Sequence, residues 1–151
     1  MQIRDLITVE RVACDASASS KKRALEAASE LLGKGVPQIP PTGIFTGLIE
    51  RERLGSTGLG QGVAIPHARM KGCSQATGAF IKLAKGIDFD ASDRQPVDLL
   101  FALLVPEHFT DEHLQILAML ASLFSDKLLC QQLRGAGSSD RVYQLLAETP
   151  V

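Results

Sequence analysis

Four short stretches of the chain have the apolar pattern of β-strands. VERVAC at 9–14, GVAI at 62–65 and GAFIKLA at 78–84 are rich in β-branched and other apolar residues and are bounded by turn-forming or polar sequence. The fourth, VDLLFALLVP at 97–106, is almost continuously apolar. A strand of that kind is covered on both faces, so we expect it at the centre of a sheet.

Apolar residues recur at helical spacing in three longer segments, each preceded by a residue that can cap a helix. We expect the first helix to follow Ser19 or Ser20, the second to be capped by Thr42 and end near Arg53, and the third to begin at Thr110. Two shorter helices, DKLLCQQLR and DRVYQLLAE, follow near the C-terminus. Because helices and strands mix throughout residues 1–151, we expect one α/β domain.

Composition and charge exclude several classes of protein. The chain is 45% hydrophobic with a net charge of −1, so no basic field is present to attract nucleic acid or an anionic membrane. No apolar run approaches the roughly 20 residues of a membrane span. Arg4 and Asp5 stand where a signal peptide would begin its apolar region, which predicts a cytoplasmic protein. The three cysteines (Cys14, Cys73 and Cys130) form no CxxC pair and are expected to be free thiols.

The glycine-rich stretch RLGSTGLGQGVAIPHAR at 53–69 suggests an anion-binding loop that is not one of the common nucleotide-binding motifs. No Lys-Ser or Lys-Thr follows its glycines, which excludes a Walker A loop, and the order helix, glycines, strand is the reverse of a dinucleotide fold. The backbone N–H groups around Gly58 and Gly60, with the hydroxyls of Ser56 and Thr57, can instead form a nest for one phosphoryl group. The alternative is a turn whose glycines only supply positive φ angles.

His67 directly follows this stretch and gives it a chemical use. A neutral imidazole nitrogen can attack phosphorus and carry the phosphoryl group, and an imidazole of ordinary pKa is largely neutral at cellular pH. We expect Pro66 to direct the side chain away from the sheet. The alternative interpretation is an ordinary surface histidine.

Two further residues are candidates for the same site. Arg51 is placed by helical spacing near the apolar side of the second helix, where its guanidinium can clamp phosphoryl oxygens; alternatively it pairs with Glu50 or Glu52 on the surface. His113 is in the first turn of the third helix, whose positive end disfavours protonation of the ring. We assign no role to His108.

A metal site is the competing interpretation. His67, His113 and Glu107 are possible ligands of a metal-dependent hydrolase, but no HxH or HExxH pattern supports it. We therefore predict neither a metal nor a cofactor. A non-catalytic anion-binding module is the remaining alternative from another functional class.

Two segments resemble a known family. RERLGSTGLGQGVAIPHA is similar to the active-site signature of the fructose/mannitol-type enzyme IIA domains of the bacterial phosphotransferase system. RQPVDLLFALLVPE and the helix opening EHLQILAMLASLF are similar to its second segment. The resemblance implies a mixed, mostly parallel sheet of about five strands flanked by helices. It implies that His67 is the phosphorylated residue, at Nε2, and that Arg51 and His113 complete the active site.

The sequences GSTG and QPVDLLFALLVP most resemble those of the nitrogen-regulatory branch of that family. This implies a phosphotransferase that receives its phosphoryl group from a small HPr-type phosphohistidine protein and acts on regulatory target proteins. The rival within the family is a sugar-specific enzyme IIA that passes phosphate to a cysteine of a IIB domain. The basic residues within ARMKG at 68–72 are expected to adjust partner docking.

Overall fold

The computed structural model describes residues 1–150, in which six strands form one mixed sheet flanked by helices. The strands are β1 (Val12–Ala16), β2 (Gly58–Gly60), β3 (Val63–Ala64), β4 (His67–Met70), β5 (Thr77–Ile87) and β6 (Val97–Pro106). The α-helices are α1 (Lys21–Gly33), α2 (Pro41–Leu54), α3 (Asp111–Phe124), α4 (Lys127–Gly135) and α5 (Ser139–Glu148). Two short 3₁₀ turns, Ile3–Asp5 and Val9–Arg11, precede β1.

Strand β6 is the centre of the sheet. It pairs in parallel with β3 and β4 along one edge and antiparallel with β5 along the other. Strand β1 continues the sheet in parallel beyond β5, and β2 forms a short antiparallel pair with β3. The predicted mixed, mostly parallel sheet and the central position of residues 97–106 are confirmed.

The side chains of β6 alternate between two hydrophobic layers, as the two-residue period of a strand requires. Leu99, Phe101, Leu103 and Val105 pack with α3, α4 and α5, whereas the intervening residues pack with α1 and α2. Every residue from Leu99 to Val105 is at most 1% exposed. The two layers explain the almost continuous apolar sequence of this strand.

The helix starts were predicted with mixed success. Ser20 caps α1 as expected, its hydroxyl accepting from the Arg23 N–H. The cap predicted at Thr42 was wrong, because α2 begins at Pro41 after its N-cap Pro40, and the fixed φ of proline suits a first helical turn. Thr110 precedes α3 as predicted, although its side chain makes no capping hydrogen bond.

Two predicted strands needed correction. The strand expected at 9–14 begins only at Val12, because residues 9–11 form a 3₁₀ turn. The strand expected at 62–65 is reduced to Val63–Ala64, since the buried Pro66 has no N–H to continue a ladder. The short strands β2 and β4 were not predicted.

No single helix within residues 1–150 is both long and apolar enough to cross a membrane. Helices α3 and α4 reach the required length and apolarity only when they are taken together, and they are bent by 76° with respect to each other. The three thiols are free; Cys73 and Cys130 are buried and Cys14 is half-buried.

Candidate functional site

A surface cavity of about 680 Å³ lies where α2, β4 and the start of α3 meet. Arg51, His67 and His113, predicted from three separate segments, all line it. Arg69 and Leu114 line it as well. The structure therefore brings the three residues of the predicted active site to one place.

His67 is positioned by the parallel pairing of β4 with β6. It is the first residue of β4, opposite Leu103, and the Leu103 N–H donates to the Pro66 carbonyl at 2.9 Å. The sequence placed His67 beyond the end of a strand, and this was wrong, because the chain resumes strand pairing immediately after Pro66. The ring is half-buried and still lines the cavity.

The hydrogen bond of His67 decides which ring nitrogen is free. Its Nδ1 lies 2.8 Å from the Ile65 carbonyl oxygen. A carbonyl only accepts, so Nδ1 carries the proton and Nε2 keeps an unshared electron pair. Burial lowers the pKa of His67, and the nearby Arg51 charge lowers it further against the opposing effects of the Ile65 bond and Glu52. The ring is therefore neutral at neutral pH.

His113 lies edge-on to His67, with ring centroids 5.2 Å apart and planes at 75°. Its Nε2 is buried and, among the residues that the structure describes, has no hydrogen-bond partner. Burial lowers the pKa of His113 to about 4, and the electrostatic effects of His67, Arg69 and Arg51 contribute to the same shift. The direction agrees with the sequence prediction, although burial rather than the helix terminus is the main cause.

Arg51 lies in the last turn of α2 and is half-buried. Its Nη1 donates to the Gly55 carbonyl at 2.8 Å, which ties the guanidinium to the start of the glycine-rich stretch. Glu52, one of the two surface partners considered for it, instead pairs with Lys21 at 2.8 Å. Arg51 thus holds its charge beside the two histidines, whose pKa values it lowers.

The polar groups of the glycine-rich stretch have partners of their own. The Ser56 hydroxyl donates to the Phe89 carbonyl at 2.8 Å, and the Gly58 N–H donates to the Ser56 oxygen at 3.1 Å. Thr57 binds Glu52 through both its hydroxyl and its N–H. None of these residues, nor Gly60, is among those that line the cavity. Phosphate binding by Ser56, Thr57, Gly58 and Gly60 stays a prediction.

Several residues that line the cavity were not assigned to it from the sequence. Arg69, expected only to adjust partner docking, follows His67 by two positions on β4 and so shares its face of the strand, a signal available only once β4 is known. Leu54 and Leu114 line the cavity although they are 84% and 66% exposed. Apolar side chains left in water beside a site are typical of a surface that contacts another protein.

The competing metal site finds no support in the arrangement of ligands. Within residues 1–150, no group of three or more His, Cys, Asp or Glu side chains is placed to hold a metal ion. Glu107 does not line the cavity that contains His67 and His113. The two histidines face each other without a third ligand.

The low pKa of His113 predicts how stability changes with pH. As pH falls from about 6.5, the unfolded chain takes up a proton at this ring before the folded chain does. The contribution of His113 to the free energy of unfolding is thus complete above about pH 6.5 and is lost as pH falls toward about 4. The lowered pKa of His67 changes the free energy of unfolding in the same direction. We expect the free energy of unfolding, measured with urea, to fall less over this range in His113→Gln. His108→Gln, on an exposed loop, is the control, and an unchanged pH dependence in His113→Gln would contradict the assignment.

Residues 5–149 match the family described as "Phosphoenolpyruvate-dependent sugar phosphotransferase system, EIIA 2". The chain is similar to the nitrogen regulatory protein of Escherichia coli (strain K12), at 46% identity over 143 residues that cover 94% of this chain and 85% of the relative. It is also similar to the PTS system fructose-specific EIIA component of Haloferax volcanii, at 34% identity over 151 residues covering 98% of each. The crystal structure of nitrogen regulatory protein IIA-Ntr from Neisseria meningitidis has 44% identity and a TM-score of 0.90, covering 95% of this chain and 98% of that chain.

Proposed function

The chain belongs to the EIIA 2 family of the phosphoenolpyruvate-dependent sugar phosphotransferase system, and we propose that it is a nitrogen-regulatory phosphocarrier that accepts a phosphoryl group on Nε2 of His67. The observation that carries the proposal is the hydrogen bond from His67 Nδ1 to the Ile65 carbonyl. It leaves Nε2 unprotonated on a neutral ring that lines the cavity. Such a nitrogen is a competent nucleophile without further activation.

The donor is a small HPr-type phosphohistidine protein. In the transfer, Nε2 of His67 forms a bond to phosphorus while the donor's nitrogen–phosphorus bond breaks. Nδ1 keeps its proton throughout, so no proton has to move between the two proteins. Because a phosphoramidate is present on both sides, the reaction is close to balanced and reversible. The protein's task is to align the two rings and stabilise the phosphoryl charge.

Arg51 and His113 supply that stabilisation. The Arg51 guanidinium is held by Gly55 on the cavity wall and can bind two phosphoryl oxygens at once. A buried polar atom without a partner costs about 1–3 kcal/mol, so the buried Nε2 of His113 is poised for a group that arrives during the reaction. When it carries the ring proton, this nitrogen donates to a phosphoryl oxygen on the neighbouring His67.

The surroundings of the cavity favour a protein over a small molecule as the reaction partner. Leu54 and Leu114 expose apolar surface at its rim. Arg51 and Arg69 place positive charge beside His67 in the same lining, which also includes the acidic residues Glu50 and Asp111. An apolar patch with basic residues fits a donor that carries a doubly charged phosphoryl group at the centre of its own interface.

The nitrogen-regulatory role is supported by the 46% and 44% identity to two nitrogen regulatory proteins. Phosphorylation of His67 adds negative charge to a partly exposed surface, which is sufficient to favour or block a regulatory target. The second candidate, a sugar-specific enzyme IIA that serves a IIB domain, is supported by the 34% identity to a fructose-specific component.

One experiment tests the phosphocarrier and separates the two roles. The protein is incubated with labelled phosphoenolpyruvate, enzyme I and an HPr-type donor, and an acid-labile, base-stable phosphate is expected. The labelled protein is then mixed with a panel of IIB domains in the presence of their sugars. Label that stays on the protein supports the regulatory role, whereas label that moves to a IIB cysteine establishes the sugar-specific rival. Absence of label overturns the phosphocarrier proposal.

A further inference from the structure

Glu52 is buried directly beside the active-site arginine and is used by no step described above. We propose that Glu52 is a positioning residue that fixes the tautomer and orientation of the His67 ring through Thr57 and Ile65. The effect on the reaction rate rests on the proposed function of His67, whereas the effect on the ring itself does not.

The carboxylate of Glu52 is almost completely enclosed, with 3% of its side chain exposed. Lys21, the first residue of α1, contacts one of its oxygens at 2.8 Å. Thr57 donates to it twice, from the N–H at 3.2 Å and from the hydroxyl through a short hydrogen bond. Lys21 is itself held over the Phe89 ring, 4.7 Å from its centre. Glu52 therefore joins α1, α2 and the glycine-rich stretch at one buried point.

A continuous set of hydrogen bonds leads from this point to the nucleophile. Thr57, fixed by Glu52, accepts at its carbonyl from the Ile65 N–H at 3.0 Å. Ile65 in turn presents its carbonyl to His67 Nδ1 at 2.8 Å. The carbonyl that selects the Nδ1–H tautomer is thus held in place by a segment that Glu52 anchors. A shift of Thr57 would move the Ile65 carbonyl and with it the orientation of the ring.

The Ile65 carbonyl matters most while the phosphoryl group is transferred. As Nε2 bonds to phosphorus, the imidazole ring gains positive charge, and the proton on Nδ1 becomes a stronger donor. The bond to the Ile65 carbonyl is therefore stronger in the transition state than in the free protein, which is the condition for accelerating the reaction. Because Glu52 is also adjacent to Arg51 on α2, the same anchor sets the nucleophile relative to the phosphoryl clamp.

A second ion pair at the other end of the glycine-rich stretch provides a matched control. Arg134 binds both carboxylate oxygens of Asp98, at 3.0–3.1 Å, and donates to the Gln61 carbonyl at 2.9 Å. The Arg134–Asp98 pair is partly buried, as Lys21 is in its pair with Glu52. Through the Gln61 carbonyl it also holds the glycine-rich stretch in place. Among residues 1–150, neither side chain of this pair hydrogen-bonds to Thr57 or Ile65. The pair therefore separates a general effect on the glycine-rich stretch from an effect directed at His67.

The test compares Glu52→Gln and Thr57→Val with Asp98→Asn in the full chain. We expect the first two to reduce the maximal rate of phosphoryl transfer from the donor about tenfold, with the KM for the donor unchanged. Nitrogen-15 NMR of the His67 ring at alkaline pH is expected to show the Nδ1–H tautomer in the unmodified protein. In both variants it is expected to show a mixture with the Nε2–H tautomer. Asp98→Asn should leave the rate and the tautomer unchanged.

The outcomes separate this inference from the proposed function. A pure Nδ1–H tautomer in both Glu52→Gln and Thr57→Val overturns the role of Glu52, as does an equal change in Asp98→Asn. If one variant fails to fold, the other carries the comparison. If the unmodified protein accepts no phosphoryl group, the proposed function fails, and the tautomer measurement alone still decides whether Glu52 positions His67.

Discussion

Replacing His67 with glutamine is expected to abolish phosphoryl acceptance, because the side chain loses Nε2, the ring nitrogen that the hydrogen bond from Nδ1 to Ile65 leaves free to bond phosphorus. Glutamine is close to histidine in volume, and the ring it replaces is only half-buried. The fold should therefore survive, and the loss can be assigned to chemistry. The measurement is incorporation of labelled phosphate from the donor, with mass spectrometry of the phosphorylated peptide under alkaline conditions.

The other two histidines of the chain are the controls for this experiment. His113→Gln should still accept the phosphoryl group, although more slowly, because its ring supports the site without forming the bond. His108→Gln, whose ring is exposed and packs edge-on against Phe109, should behave like the unmodified protein. Label that persists on His67→Gln, or that is lost only in His113→Gln, would show that His67 is not the nucleophile.

The fold was predictable where apolar patterning alone determines structure. Strand β6 could be placed residue by residue, since a strand covered on both faces must be apolar at nearly every position. Strand β4 could not be predicted, because HARM at 67–70 has no alternating apolar pattern. It is a strand because β6 beside it offers free N–H and C=O groups, a tertiary cause that local sequence does not contain.

The residues of the candidate site could be named from the sequence, but the contacts that hold them could not. Local sequence left ordinary surface roles open for His67 and Arg51, and the family resemblance selected them together with His113. The structure brings all three to one cavity, and their roles stay predictions. Glu52 gave no signal, since a glutamate in a helix rich in charged residues is normally exposed. Its burial depends on Lys21, which is distant in sequence and reaches it only because α1 packs on α2.

Replacing Arg51 is expected to have the second-largest effect on phosphoryl transfer. The transferred phosphoryl group brings two negative charges into the cavity, and the Arg51 guanidinium is placed to stabilise them. Arg51→Gln is expected to lower the rate of phosphoryl transfer about a hundredfold, which is typical for removing a charged donor from a developing anion. Its hydrogen bond to the Gly55 carbonyl is on the surface of the protein, so the free energy of unfolding should change by no more than about 0.5 kcal/mol.

The matched control is Arg53→Gln, which removes the same charge two residues further along α2 from an exposed position outside the cavity. Its rate should stay near that of the unmodified protein, because a screened surface charge contributes little to the site. Arg51→Lys should recover part of the lost rate, since lysine restores the charge but not the two-pronged contact with phosphoryl oxygens. Equal losses in Arg51→Gln and Arg53→Gln would reduce the role of Arg51 to general attraction of the donor. A large drop in unfolding free energy would make Arg51 a structural residue, because the slow transfer would then follow from a damaged glycine-rich stretch rather than from a missing clamp.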